Sequence, residues 1–196
     1  MKSLLKIISI TAIVTPTLFG CSRNAEETSE SFNSLLTIIE EGEAILESGK
    51  AKFSLAEKDF LDCLVSQTKT NSIECAEEML YLDSVYDETL KSYDFQSLIA
   101  RMNALRLVDN ESATQARDAF VQHLDAWRST ISDLKYSLPN LEELYKHEWS
   151  FLDKWDEIGQ ESTINGSFQE TCSSLGNAQP ENSDEFAQRI IDICDE

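Results

Sequence analysis

Five large apolar residues, Phe32, Ile39, Leu46, Phe53 and Phe60, recur every seven positions, and Leu35, Gly42, Gly49, Ala56 and Cys63 follow them by three. Strand side chains alternate with a period of two, so a strand has no use for this spacing, whereas a helix places both rows on one face. The first row is bulky and the second is mostly small. Such a face must be covered by a neighbour, and the small row lets that neighbour come close. Gly42 and Gly49 each weaken an isolated helix by about 1 kcal/mol relative to Ala. "ESGK" (47–50) therefore reads as a kink or as a break between two helices.

The rest of the chain repeats the theme. "SQTKTNS" (66–72) is a polar turn, and Asn71 with Glu74 has the spacing of a helix cap. The second helix then carries Ala76, Met79, Leu80, Tyr86, Leu90, Tyr93, Leu98, Met102 and Leu105. "VDNES" (108–112) interrupts it, and Ser112 with Gln115 forms another cap pattern. Ala113, Ala116, Phe120, Leu124, Trp127, Ile131 and Leu134 make the stripe of a third helix. "SLPN" (137–140) breaks that, with Pro139 suited to the first turn of a fourth helix. Its buried face comprises Leu141, Leu144, Tyr145, Trp149, Leu152, Trp155 and Ile158. "STINGS" (162–167) reads as a turn, 168–174 as a short helical piece and "GNAQPENS" (176–183) as a loop. A last helix over 184–194 shows Phe186, Ile190 and Ile191. No segment alternates like a strand. The expected fold is all-α: a four-helix bundle-like core over 31–160, with a disulfide-tied C-terminal helical extension, 161–196, packed on it.

The N-terminus has a different character. Lys2 and Lys6 precede an uncharged run, "IISITAIVTPTLF", too short for the roughly 20 residues that cross a bilayer as a helix. A basic start, a short apolar stretch and a small residue before a cut describe a secretory signal. Leu18, Phe19, Gly20 and Cys21 resemble the lipobox of bacterial lipoproteins, although Phe19 stands where a smaller residue is usual. The resemblance implies cleavage after residue 20, a lipid on Cys21 and anchoring by two or three acyl chains. One chain alone binds a membrane only marginally. Ser22 stands where the inner-membrane retention signal of that family has Asp, which favours the periplasmic face of the outer membrane. "SRNAEETSE" (22–30), polar and acidic, reads with Cys21 as a flexible tether.

Cleavage would leave 176 of the 196 residues, enough for one domain with a real core. Of the 16 basic residues, Lys2 and Lys6 go with the signal, so 14 would face 36 acidic ones, a formal charge of −22. Such a chain repels nucleic acid and attracts cationic partners. The imbalance is uneven: residues 22–100 carry 17 acids and 6 bases, 101–160 carry 11 and 7, and 161–196 carry 8 and 1. Four cysteines remain besides Cys21, namely Cys63, Cys75, Cys172 and Cys194. An even number in an exported chain reads as two disulfides with three possible pairings. Sequence distance favours Cys63–Cys75 and Cys172–Cys194, each contributing about 3 kcal/mol. A zinc site would need a C-x-x-C or clustered His, and neither is present.

Little in the sequence points to catalysis. His123 and His147 lack the Glu-x-x-His spacing of di-iron bundles and read as surface or helix-flanking side chains. There is no G-x-S-x-G, calcium loop or phosphate cradle. The expectation is a non-enzymatic, lipid-anchored interaction module with no metal or cofactor, meeting a cationic or envelope protein. A narrower form is an inhibitor or immunity lipoprotein that neutralises a cationic hydrolase or toxin. The rival class is an envelope metal-binding protein or enzyme. Candidate partner contacts are the carboxylates Glu40, Glu41 and Glu43 of "EEGE", Asp184 and Glu185, and the tryptophans Trp149 and Trp155. The two tryptophans are six residues apart and diverge on a helix, so one can be core and the other an exposed anchor.

Overall fold

The computed structural model describes residues 19–66, 72–107, 110–146, 150–159, 162–178 and 184–195. These form α1 (Phe19–Ser66), a 3₁₀ turn (Ser72–Cys75), α2 (Ala76–Ser92), α3 (Gln96–Ala104), α4 (Glu111–Tyr136), α5 (Leu141–Lys146), α6 (Ser150–Gly159), α7 (Ser162–Ala178) and α8 (Asp184–Cys194). Among the described residues there is no strand. The fold is all-α.

α1 runs 48 residues without a break, about 72 Å at 1.5 Å per residue. The bulky row of its seven-residue repeat is buried throughout, from Phe32 to Phe60. Neither a kink nor a break occurs at "ESGK", because Gly49 answers to a neighbour: a Cβ there would lie 2.4 Å from the hydroxyl of Tyr93 and 2.6 Å from its ring. The same hydroxyl donates to the carbonyl of Leu46 at 2.9 Å. Gly42 likewise makes room for the Phe120 ring, which a Cβ would meet at 2.8 Å. Each glycine thus exchanges helix propensity for a buried aromatic neighbour. Residues 22–30, expected as a tether, are helical backbone instead. They hold good helix formers and neither Gly nor Pro, so nothing in them stops the helix.

α2 and α3 return antiparallel along α1. Cys63–Cys75 ties the turn, Tyr86 donates to Glu57 at 2.5 Å, and Arg101 of α3 reaches Glu41 at 2.6 Å. The expected single second helix is two, because Tyr93 and Phe95 are both buried and stack at 5.2 Å. Positions two apart in a continuous helix point to opposite sides, so the chain turns at Asp94 to bury both. Leu80 was expected in the core and is exposed, Leu82 and Val85 taking its place. Asn71 lies outside the described residues.

α4 runs parallel to α1 and buries the stripe from Ala113 to Leu134, with Trp127 partly buried. Its cap is Asn110 rather than Ser112: the Asn110 side chain accepts from the Ala113 amide at 2.9 Å. The same side chain donates to the Ala178 carbonyl at the end of α7, so α4 and α7 are antiparallel. α7 is the largest revision. It is a full helix of 17 residues that begins in the expected "STINGS" turn, and it is the main packing partner of α4. Ser167, Thr171, Ser174 and Ala178 are its buried small residues, and Ala113, Ala116 and Ala119 are those of α4. Small contact residues permit the shorter axial separations. The four long members are therefore α1, α2–α3, α4 and α7, in an up-down-up-down bundle.

The segment expected as the fourth core helix is instead α5 and α6, which close one end of the bundle. Asn140 caps α5, accepting from the amides of Glu142 and Glu143 while Glu143 accepts from the Asn140 amide. Pro139 precedes this cap instead of sitting in the first turn. Leu141 and Tyr145 are exposed, whereas Leu144, Phe151 and Trp155 are buried. α8 completes the fold, lying along the early part of α1 and linked to α7 by Cys172–Cys194. It buries Ile190 and Ile193, while Ile191 faces out.

Candidate functional site

The face of α1 bearing Glu40, Glu43, Ala44, Glu47 and Lys50 forms the floor of a groove. On one side stands α8. Phe186 meets Phe32 edge-on at 5.4 Å, and Arg189 grips Glu40 with two bonds, Nε at 2.7 Å and Nη2 at 2.8 Å. Arg189 also donates to Thr37 at 3.1 Å and to Asn33. These paired bonds raise the affinity of Arg189 for its proton further. On the other side stand α4 and α7.

Two cavities lie along this floor. The smaller, about 340 Å³, is lined by Glu40, Glu43, Ala44, Glu47, Asp192 and Ile193. The larger, about 580 Å³, is lined by Glu43, Glu47, Lys50, His123, Trp127, Ile164, Asn165 and Phe168. Glu43 and Glu47 belong to both, as their spacing of four on one helix face dictates.

His123 is the deepest polar group of the larger cavity, 4% exposed. It is not the surface histidine expected from sequence. Its Nδ1 lies 3.0 Å from the Ile164 carbonyl, which can only accept, so Nδ1 carries the proton and donates. Ser167 donates to the same carbonyl at 3.0 Å. The other nitrogen, Nε2, is 3.6 Å from a Glu43 carboxylate oxygen. Proximity to a carboxylate favours imidazolium, while burial opposes it. Burial prevails and, with the nearby Lys50 cation, lowers the His123 pKa from 6.5 to about 4, although the Ile164 hydrogen bond pulls the other way. The 3.6 Å separation also exceeds the 2.7–2.9 Å typical of a charge-assisted bond. His123 is therefore neutral at pH 7.

Around it the walls are aromatic. Phe168 lies 5.0 Å from the imidazole, Phe120 6.0 Å and Trp127 6.5 Å. The Lys50 ammonium sits 4.8 Å from the Trp127 ring centroid and 2.5 Å from a Glu47 oxygen. A cation over an indole contributes about 0.5–1 kcal/mol at an exposed site. The Lys50–Glu47 pair is half-exposed and contributes no more than about 1 kcal/mol. Lys50 is thus held in place, but lightly.

The candidate contacts named from sequence divide as follows. Glu40 and Glu43 share the groove, with Glu40 engaged by Arg189. Glu41 points to the other side, where Arg101 holds it. Asp184 and Glu185 are exposed in the first turn of α8, apart from both cavities. Trp155 is core rather than a surface anchor. It is 9% exposed, packs against Phe60 and Phe151, and donates its indole N–H to Ser137 at 2.8 Å. Trp149, His147 and the lipobox residues Leu18 to Cys21 are outside the described residues or side chains. Sequence reasoning missed His123, Trp127, Glu47, Lys50, Arg189 and Asp192 as site residues. Arg189 had a signal, being the sole base among residues 161–196.

Among the described residues no helix is long and apolar enough to cross a membrane, and no group of three or more His, Cys, Asp and Glu side chains is placed to hold a metal. No family model, curated protein or solved structure matches the chain. What the arrangement can do chemically is hold positive charge against aromatic surface in a stapled helical frame.

Proposed function

We propose that the protein is a lipid-anchored, non-enzymatic interaction module of the bacterial envelope, and that the groove along α1 docks a cationic partner protein. The observation that carries the reading is the groove's charge. Glu40, Glu43, Glu47 and Asp192 line its two cavities, with Arg189 and Lys50 as the cations beside them among the described residues. A concave acidic surface concentrates field lines and speeds the encounter with a basic protein. Cys172–Cys194, which ties α8 to α7, and the Arg189 clasp hold the walls before binding, which lowers the ordering cost. The lipobox-like "LFGC" supports an anchor at Cys21 and, with Ser22, the periplasmic face of the outer membrane. α1 then leads from Cys21 to Glu43 as continuous helix, which places the groove about 33 Å along that axis. The narrower form, an inhibitor or immunity lipoprotein, follows if the docked protein is a basic hydrolase or toxin.

A photo-crosslinking residue at Ala44, which is exposed and lines the smaller cavity, tests the docking face in cells. Its control is one at Ser84, exposed on α2 and lining neither cavity. The expected product is one basic protein, joined from Ala44 and lost when salt is raised before irradiation. Equal products from Ser84, or indifference to salt, would overturn the reading. For the anchor, Cys21→Ser is expected to abolish detergent-dependent membrane fractionation. A cleaved, membrane-bound Cys21→Ser chain would refute the lipid assignment.

A further inference from the structure

We infer that the larger cavity is a recognition pocket for one guanidinium side chain of the partner, and that Lys50 occupies it until that side chain arrives. The inference rests on the docking reading and names the group the groove receives.

The protein's own side chain marks the cation position. The Lys50 ammonium is placed between the Trp127 face and the Glu47 carboxylate, at 4.8 Å and 2.5 Å. Phe168 and Ile164 supply further apolar wall, and Glu43 a second carboxylate. His123 completes the lining, with its Nδ1–H turned to the Ile164 carbonyl, and as a neutral ring it adds no opposing charge. With Lys50 in place the lining carries two carboxylates and one ammonium. When Lys50 swings out, the Glu47 carboxylate faces whatever replaces it.

The chemistry selects the replacement. An ammonium is a compact point charge that meets Trp127 and Glu47 without filling a cavity of about 580 Å³. A guanidinium is planar, so it can stack on the indole and offer two parallel N–H donors to a carboxylate at once. It is also more weakly hydrated than an ammonium, which eases its entry into a partly enclosed space. Lys50 can leave readily, because its pair with Glu47 is half-exposed. The exchange of a resident lysine for an incoming arginine therefore gains contacts on both sides of the charge. Since the alkyl stem of Lys50 must move aside, the pocket opens only to a group that competes for both Trp127 and Glu47.

The test uses the full chain in detergent and three probes: N-acetyl-arginine amide, N-acetyl-lysine amide and spermidine. The readout is the Trp127 indole N–H resonance, assigned by its absence in Trp127→Phe. Arginine amide is expected to shift it saturably and to bind several-fold more tightly than lysine amide. Lys50→Met is expected to tighten arginine binding about tenfold by removing the resident competitor. Glu47→Gln is expected to weaken it by a similar factor. Both substitutions lie on the half-exposed rim of α1, and thermal melts will show that the bundle is intact. Unchanged or weaker binding by Lys50→Met would overturn the competitor role. Spermidine matching arginine amide would overturn the side-chain assignment in favour of a free polyamine. Absence of all binding, with the Ala44 cross-link retained, would remove the pocket and leave the docking groove standing. Loss of both would remove both.

Discussion

Acidification from pH 7 to pH 4 is expected to remove about 3 kcal/mol of stability through His123 alone. The side chain is 4% exposed, and its pKa falls from 6.5 to about 4 because burial disfavours imidazolium and Lys50 adds a like charge. Well above pH 6.5 the ring is neutral whether the chain is folded or not, and it contributes no pH dependence. Between 6.5 and 4 the unfolded chain binds a proton that the fold excludes, so stability falls as pH falls. Each tenfold change in proton affinity is worth about 1.4 kcal/mol, which sets the total. The groups facing the ring are Glu43, Lys50, Ser167 and the Ile164 carbonyl, with Phe120, Trp127 and Phe168 as apolar neighbours. Urea unfolding followed by fluorescence at constant ionic strength, at pH 7, 6, 5 and 4, measures the slope. His123→Asn is the comparison, because its amide can still donate toward Ile164 and does not titrate. The smaller side chain lowers stability at every pH, but the variant's profile should be flatter by about 3 kcal/mol across the range. Glu57 works in the opposite sense: burial raises its pKa against the pull of the Tyr86 hydrogen bond, and its contribution cancels between the two proteins. Parallel profiles would refute the argument. So would a wild-type profile that gains stability relative to His123→Asn from pH 7 to 5, since that is the behaviour of an imidazolium paired with Glu43.

Three further outcomes follow from the packing. Gly49→Ala, which in an open helix stabilises by about 1 kcal/mol, is expected to destabilise by about 1–3 kcal/mol, because its Cβ meets the Tyr93 ring; a thermal melt decides, and Tyr93→Leu in the same chain should restore the ordinary sign. Tyr86→Phe removes the donor to Glu57 and should cost about 2 kcal/mol at pH 7. That cost should shrink as pH falls through the carboxylate range, because Glu57 can then take up a proton. Replacing Cys172 and Cys194 together by Ala should cost about 3 kcal/mol in urea unfolding, with hydrogen exchange rising first in α8; unreduced peptide maps of the wild type should return Cys63–Cys75 and Cys172–Cys194.

Where a signal was large, apolar and periodic, it was legible. The row from Phe32 to Phe60, the stripe of α4 and the local pairing of four cysteines all stand in the structure as read. What escaped was built from small or polar parts. α7 buries Ser167, Thr171, Ser174 and Ala178 beside just two large apolar residues of the described part, Ile164 and Leu175, so a hydrophobic stripe does not register it although the small residues allow close packing. The break at Tyr93 carries neither Gly nor Pro; it comes from two aromatic rings that both need burial. The site escaped for a different reason. His123 reads as an ordinary polar position until Ile164, 41 residues later, supplies the carbonyl that accepts from it. Trp127 looks like one more core residue until α1 brings Lys50 over its ring. Composition pointed to acidity in general, and only the register of α1 against α4 and α8 says which carboxylates meet in one groove.

α8 bears on how the molecule comes to exist, beyond how it is held. Arg189 bonds to Asn33, Thr37 and Glu40, which precede it by 149 to 156 residues. α8 is also made after every other helix of the bundle. Contacts so distant along the chain form late, because the loop they close must first be ordered. The hairpin of α1 and α2, closed by a twelve-residue disulfide loop, can assemble early, but one wall of the groove, with Asp192 and Ile193 in it, cannot. A chain whose α8 has not yet settled on α1 therefore lacks one wall of the acidic groove.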